Sequence, residues 1–140
     1  MNRYNYYPKR PVKSFQDLEV YQKTLGLAVE IVKKLKKEKP VSNSNKISKK
    51  LEKTVLRVPK LIAMAHSTRF GESEKAISYL EKAMLDCNLA VYYLELFRDL
   101  VNSEIKTEYF EEQIQEYLKV RGKIMRLQKS WLKFMGERKC

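Results

Sequence analysis

Apolar residues recur every three or four positions along four segments of the chain, which is the spacing of one face of an α-helix. No segment alternates apolar and polar residues in the way that predicts a half-buried strand. The pattern therefore predicts an all-α protein with four helices. Pro59 falls inside the second apolar row. Because a proline lacks a backbone donor and crowds the carbonyl four residues back, we expect a kink in helix 2.

Each helix has an expected buried row. In helix 1 the row is Leu18, Tyr21, Leu25, Ala28, Val32 and Leu35. In helix 2 it is Ile47, Leu51, Val55, Val58, Ile62 and Ala65. In helix 3 it is Ile77, Leu80, Met84, Cys87, Val91 and Leu94. In helix 4 it is Phe110, Ile114, Tyr117, Ile124, Leu127, Trp131 and Phe134.

Capping residues and glycines set the expected boundaries. Ser14 with Asp17 three residues later predicts a capping box before helix 1, and Gly71 follows helix 2. Gly136 is expected to end helix 4. Because the connections are short, the four helices predict an antiparallel up-down-up-down bundle over residues 14–136. A basic, aromatic arm at residues 1–13 precedes the bundle, and a tail at 137–140 follows it.

Helix 3 carries more apolar residues than one buried face can hold. A second apolar face on a helix in so small a bundle favours contact with another subunit. Large aromatic side chains are typical anchors of such contacts. The predicted oligomer interface consists of Tyr92, Tyr93, Leu96, Phe97 and Trp131.

The formal net charge of the chain is +12, and a charge of this size favours binding to acidic partners. Two helices carry basic stripes that lie within about 100° of arc on one face. The stripe on helix 2 consists of Lys46, Lys49, Lys50, Lys53, Arg57 and Lys60. The stripe on helix 4 consists of Lys119, Lys123, Arg126, Lys129 and Lys133. A solvated surface face is one interpretation. Binding to phosphate backbones, without reading of base sequence, is the favoured one, and an acidic protein surface is the competing ligand.

The N-terminal arm alternates cations such as Arg3 and Arg10 with tyrosines, which suits stacking on unpaired bases. A disordered tail, or tyrosines docked on a neighbouring subunit, are the alternatives. The carboxylates of residues 104–116 indicate a solvated acidic face that could also pair with a basic neighbour.

His66 is the only histidine, so no histidine-based metal cluster is expected. Arg57 lies too far upstream to form the arginine–histidine pair that a helical-bundle ribonuclease would need, and we expect no catalysis, metal or cofactor. Cys87 and Cys140 indicate no disulfide framework, which fits a reducing compartment. Since no apolar stretch approaches eighteen residues and no signal peptide is visible, we expect a cytoplasmic protein without a membrane span.

Three stretches resemble a known family. Residues 15–32, "FQDLEVYQKTLGLAVEIV", and the proline-containing "LEKTVLRVPKLIAMA" are similar to the four-helix bundle proteins encoded in intervening sequences of bacterial large-subunit ribosomal RNA genes. The C-terminal "VRGKIMRLQKSWLKF" resembles the Avd branch, the accessory variability determinant of diversity-generating retroelements. The resemblance covers about residues 15–135.

This resemblance implies a non-enzymatic, pentameric accessory protein that binds a reverse transcriptase and RNA or DNA during mutagenic cDNA synthesis. The alternative is a structural module of the ribosomal-intervening-sequence type that recognises an acidic protein without binding nucleic acid. A third class, an RNase-like enzyme, would depend on His66.

Overall fold

The computed structural model describes residues 12–38 and 44–139; for residues 44, 45 and 137–139 it describes the backbone only. These residues form one short 3-10 turn, Phe15–Asp17, and four α-helices, with no strand. The helices are α1 (Glu19–Lys36), α2 (Ser44–Thr68), α3 (Ser73–Leu100) and α4 (Thr107–Lys139). The all-α four-helix bundle is therefore confirmed. Arm residues 1–11, which include Arg3 and Arg10, and Cys140 lie outside the described residues.

The predicted capping box is present, but it caps the 3-10 turn instead of α1. The Ser14 hydroxyl accepts a hydrogen bond from the Gln16 N–H (3.2 Å), and the Asp17 carboxylate accepts one from the Ser14 N–H (3.2 Å). Leu18 is extended (φ −72°, ψ 127°), so the helical phase restarts at Glu19.

α1 buries a face displaced by about one residue from the predicted row, so part of that row is wrong. The buried residues of the helix are Val20, Thr24, Leu27, Ala28, Ile31 and Leu35. Leu25, expected in the core, is 39% exposed. The Thr24 hydroxyl can be buried because it donates to the Val20 carbonyl oxygen at 2.7 Å.

The tightest packing in the bundle joins α2 to α3. Within α2 the predicted row is fully buried from Leu51 to Ala65, and Ile47 is half-buried. α3 buries three alanines at seven-residue spacing, Ala76, Ala83 and Ala90, and small residues of this kind allow helix axes to approach closely. Pro59 lies inside α2, which stays a single helix, and the kink at this position stays a prediction.

The helices form a ring in which each packs on the next and α4 returns to α1, so α2 and α4 are diagonal. The connection between α2 and α3, residues 69–72, lies at one end of the bundle, which we call the α2–α3 end. The first residues of α1 and the last residues of α4 lie at the same end. The opposite end, with residues 101–106, is the α3–α4 end. No described helix is long and apolar enough to cross a membrane.

Two predictions about the C-terminal part of α4 are wrong. Gly136 does not end the helix, which continues to Lys139, and Phe134 is 50% exposed. At 1.5 Å per residue, α4 is about 50 Å long and α1 about 27 Å. The last turns of α4 therefore extend past the start of α1, where there is no helix to bury Phe134.

Polar side chains recur every fourth residue on the inward face of α4. They are Tyr109, Gln113, Tyr117 and Arg121, which we call the polar row. The two hydroxyls, the Gln113 Oε1 and the Arg121 Nε are buried and have no hydrogen-bond partner among the described residues. Burial raises the pKa of Tyr117 well above its ordinary value, so its hydroxyl stays protonated.

The seam between α1 and α4 is polar. Lys123 pairs with Glu19, Lys23 Nζ lies 2.9 Å from Glu116 Oε2, and Lys34 Nζ lies 5.0 Å from the centre of the Tyr109 ring. Exposed ion pairs such as these contribute about 0–1 kcal/mol each, so they join the two helices weakly.

A bidentate ion pair joins α2 to α3. The Arg57 Nε donates to Asp86 Oδ2 at 3.1 Å, and the Arg57 Nη2 donates to Asp86 Oδ1 at 2.9 Å. The Asp86 side chain is 8% exposed and that of Arg57 is 42% exposed. The hydrogen bond to Asp86 is the largest cause of a raised Arg57 pKa. Arg57 thus compensates a buried carboxylate.

Replacing Arg57 with Met should leave the Asp86 charge buried and unpaired. Removing one partner of a buried pair costs about 3–5 kcal/mol, and since Arg57 is partly solvated we expect about 2 kcal/mol lost from the free energy of unfolding in urea. Lys53→Met, one turn earlier and exposed, is the control, with a change within about 0.5 kcal/mol. Equal effects of the two substitutions would contradict the structural role of Arg57.

Candidate nucleic-acid interface

The basic stripe on α2 faces away from the core, with one residue that differs from the others. Lys46, Lys49, Lys50, Lys53 and Lys60 are all exposed. Arg57 lies on the same face, but two of its guanidinium nitrogens are held by Asp86. The five lysines therefore provide the exposed cations of this surface.

The fold adds lysines from α1 that the sequence interpretation missed. Because α1 and α2 are antiparallel, the last turns of α1 and the first turns of α2 share the α3–α4 end. Segments 33–38 and 46–53 together hold eight exposed lysines and two glutamates. We call this surface the basic end; it consists of Lys33, Lys34, Lys36, Lys37, Lys46, Lys49, Lys50 and Lys53. A signal was visible in the sequence, as four lysines within residues 33–37.

The basic stripe on α4 is a separate surface. Lys119, Arg126, Lys129 and Lys133 are exposed, whereas Lys123 is half-buried and paired with Glu19. Since α4 is diagonal to α2, and its cations lie on the half that ends at the α2–α3 end, the two stripes do not merge into one surface of a single chain.

Carboxylates occupy the other half of α4. Glu108, Glu111, Glu112 and Glu116 line a groove of about 660 Å³ along the seam with α1. At the α3–α4 end the charges meet: Lys34 and Lys37 of the basic end line a second groove with Glu104, Glu108 and Glu112, whereas the lysines of α2 lie away from these carboxylates. A strand of nucleic acid would be attracted to one side of this end and repelled from the other.

The residues predicted for an oligomer interface divide among three places. Tyr92 is 52% exposed, and Tyr93 and Leu96 are half-buried on the outer face of α3. Phe97 is 1% exposed and packs on Phe110 with 5.4 Å between ring centres. It therefore belongs to the core of one chain, and its assignment to an oligomer interface is wrong. Trp131 lies on α4, near the α2–α3 end.

The outer face of α3 has further apolar residues at helical spacing. We define the outer α3 stripe as Leu85, Leu89, Tyr92, Leu96 and Leu100. Leu85 and Leu100 are 56% and 67% exposed. An apolar row with three exposed members, Leu85, Tyr92 and Leu100, and two half-buried ones suits contact with another protein surface.

His66 is buried near the α2–α3 end. It is 7% exposed, its Nδ1 lies 3.1 Å from an Arg69 guanidinium nitrogen, and its ring centre lies 6.4 Å from that of Trp131. Because an arginine only donates, Nδ1 accepts here, and the ring carries its proton on Nε2. Within residues 12–38 and 44–139, no group of three His, Cys, Asp or Glu side chains could hold a metal ion.

No protein-family model matches this chain, and no curated protein and no solved structure is significantly similar to it.

Acidification should destabilise the protein through His66. Burial, and then the positive charge of Arg69, lower the pKa of His66 below its usual value near 6.5, with Asp17 acting in the opposite direction. The unfolded chain therefore takes up this proton first, and the free energy of unfolding falls as the pH drops below about 6.5.

Urea unfolding of the protein and of His66→Gln at about pH 7.5 and about pH 5.5 measures this effect. Gln retains an acceptor for Arg69 but does not titrate, so the variant should lose less stability on acidification. The same pH dependence in both proteins would show that His66 does not contribute.

Proposed function

We propose that this protein is a cytoplasmic, non-enzymatic accessory protein that binds the phosphate backbone of RNA or single-stranded DNA. The observation that carries the proposal is the basic end, where α1 and α2 bring eight lysines together with only two glutamates. A surface that serves solubility alone usually mixes charges of both signs. Lysine ammonium groups without fixed partners bind phosphates by releasing counterions, and they do not read base sequence.

The resemblance to the Avd family supports a more specific role. In this proposal the protein assists the reverse transcriptase of a diversity-generating retroelement and holds its nucleic acid during mutagenic cDNA synthesis. A reverse-transcriptase gene next to the gene for this protein is the expected genomic setting. A ribosomal RNA gene at that position would favour the intervening-sequence branch.

The second candidate function is recognition of an acidic protein by the same lysines. The carboxylates on α4 support it, because the acidic face of one copy is complementary in charge to the basic end of another. A partner retained after nuclease treatment of a lysate, together with no binding to RNA, would replace the first proposal by the second.

Neutralising the basic end should reduce the salt dependence of nucleic-acid binding. For Lys46→Gln, Lys49→Gln and Lys53→Gln combined, the slope of log K against log salt should fall by about two units, since each contact with a single strand contributes about 0.7. The measurement is fluorescence anisotropy of a labelled single strand at several salt concentrations.

The control combines Lys75→Gln, Lys82→Gln and Lys106→Gln, which removes three exposed lysines outside the basic end and both stripes. Its net charge matches that of the test variant, so a purely long-range effect would lower both slopes equally. Equal slopes would exclude the basic end as the site, and no binding at low salt would exclude the function.

We further propose that the protein is a homo-oligomer, a pentamer by resemblance, that buries the outer α3 stripe. Leu85→Lys with Tyr92→Lys should lower the mass measured by light scattering, because two buried charges without partners oppose association. Leu56→Lys, at a residue 48% exposed on α2, is the control and should leave the mass unchanged. A wild-type protein with the mass of one chain would refute the oligomer.

A further inference from the structure

A cavity of about 520 Å³ opens at the α2–α3 end, between the residues that follow α2 and the last turns of α4. Its lining includes Arg69, Phe70, Ser73, Ser130, Trp131 and Phe134. The volume lies within the range of small-ligand sites, and the walls combine aromatic rings with a few polar groups, as such sites usually do. Phe70 is 63% exposed and Phe134 is 50% exposed, so a ligand in the cavity can reach both rings.

Arg69 gives this cavity a positive charge that no described carboxylate compensates. Its guanidinium donates to the His66 carbonyl oxygen at 2.5 Å, contacts the His66 Nδ1 and lies 4.2 Å from the centre of the Phe70 ring. No ion pair joins Arg69 to a carboxylate of the described ranges. Burial lowers the pKa of Arg69, which reflects a cation that has lost part of its hydration. An anion at this position would restore the lost stabilisation.

The start of α3 also borders the cavity. Ser73 is the first residue of α3 and lines the cavity, and Glu72 at the N-cap position makes no side-chain capping bond. The positive end of a helix dipole therefore lies beside Arg69, and the carboxylates of Glu72, which pairs with Lys75, and Glu74 lie on the same turn. Lys129 and Lys133 are exposed on the same turns of α4 as Ser130 and Phe134, so the basic α4 stripe runs alongside the opening.

We propose that this cavity binds one unpaired nucleotide of a nucleic-acid strand, with the base stacked among Phe70, Trp131 and Phe134 and a phosphate at Arg69. The proposal rests on the proposed function and adds a place for the base to the backbone contacts. Charge favours this occupant over the chain's own arm, because Arg3, Lys9 and Arg10 would bring more positive charge to Arg69. Arginine next to aromatic rings is the combination with which proteins bind single strands.

Trp131 is the only tryptophan in the chain, so its fluorescence reports on this cavity alone. Titration of the full chain with a short oligothymidylate should quench that fluorescence, because the base stacks on the indole ring. An abasic strand of the same length presents the same phosphates without bases and should bind, by anisotropy, without quenching. Quenching by both strands alike would overturn the proposal.

Phe70→Ser separates stacking from backbone binding. Since stacking on one aromatic ring is typically worth about tenfold or more in affinity, the variant should bind oligothymidylate about tenfold more weakly and the abasic strand unchanged. Leu56→Ser, which removes an apolar side chain that is 48% exposed on α2 and does not line the cavity, should bind both strands like the wild type.

The two proposals fail in different ways. Oligothymidylate that binds with no quenching, and with equal affinity for Phe70→Ser and wild type, would overturn the nucleotide site and leave the proposed function in place. The same result is expected if the chain's own arm, and not a nucleotide, fills the cavity. No binding of either strand at low salt would overturn the proposed function and the nucleotide site together.

Discussion

Burial of the apolar row along α2 is the interaction on which the rest of the bundle depends. Leu51, Val55, Val58 and Ile62 are all inaccessible to solvent, and they pack on the alanine-containing face of α3. Close packing of this kind fixes the rotation of both helices, because turning either one would expose the row. That rotation in turn points the lysines of α2 outward and places Asp86 within reach of Arg57.

The sequence pattern predicted most reliably those features that depend on one unbroken helix. The row from Leu51 to Ala65 is buried as expected, because nothing in α2 interrupts its periodicity. α1 carries apolar residues on two adjacent rows, and spacing alone does not decide between them: the fold buries Leu27 and Ile31, whereas Leu25 is 39% exposed. Phe134 was misjudged for another reason: its exposure depends on the length of a neighbouring helix, which local spacing does not contain.

The candidate binding surface was predictable only within single helices. Periodicity placed Lys46, Lys49 and Lys53 on one face, and the structure agrees. It did not show that the lysines of α1 would join them, because that requires the hairpin of α1 and α2. It also grouped Arg57 with the exposed lysines, whereas in the structure the Arg57 guanidinium donates two hydrogen bonds to Asp86. One signal was available, since Asp86 lies on the same helical row as Ala83 and Ala90, where an acidic residue needs a partner.

The polar row of α4 bears on how the bundle moves. Buried hydroxyl and amide groups without partners each cost about 1–3 kcal/mol, and water that enters the seam would satisfy them. Separating α1 from α4 therefore forfeits weak surface pairs while hydrating Tyr109, Gln113 and Tyr117. Although α1 buries Leu27, Ile31 and Leu35 in the core, its packing on α4 is the least extensive between neighbouring helices, so we expect local opening of the native state to begin at this seam, ahead of the α2–α3 pair. Amide protons of α1 should consequently exchange with solvent while those of α2 and α3 are still protected.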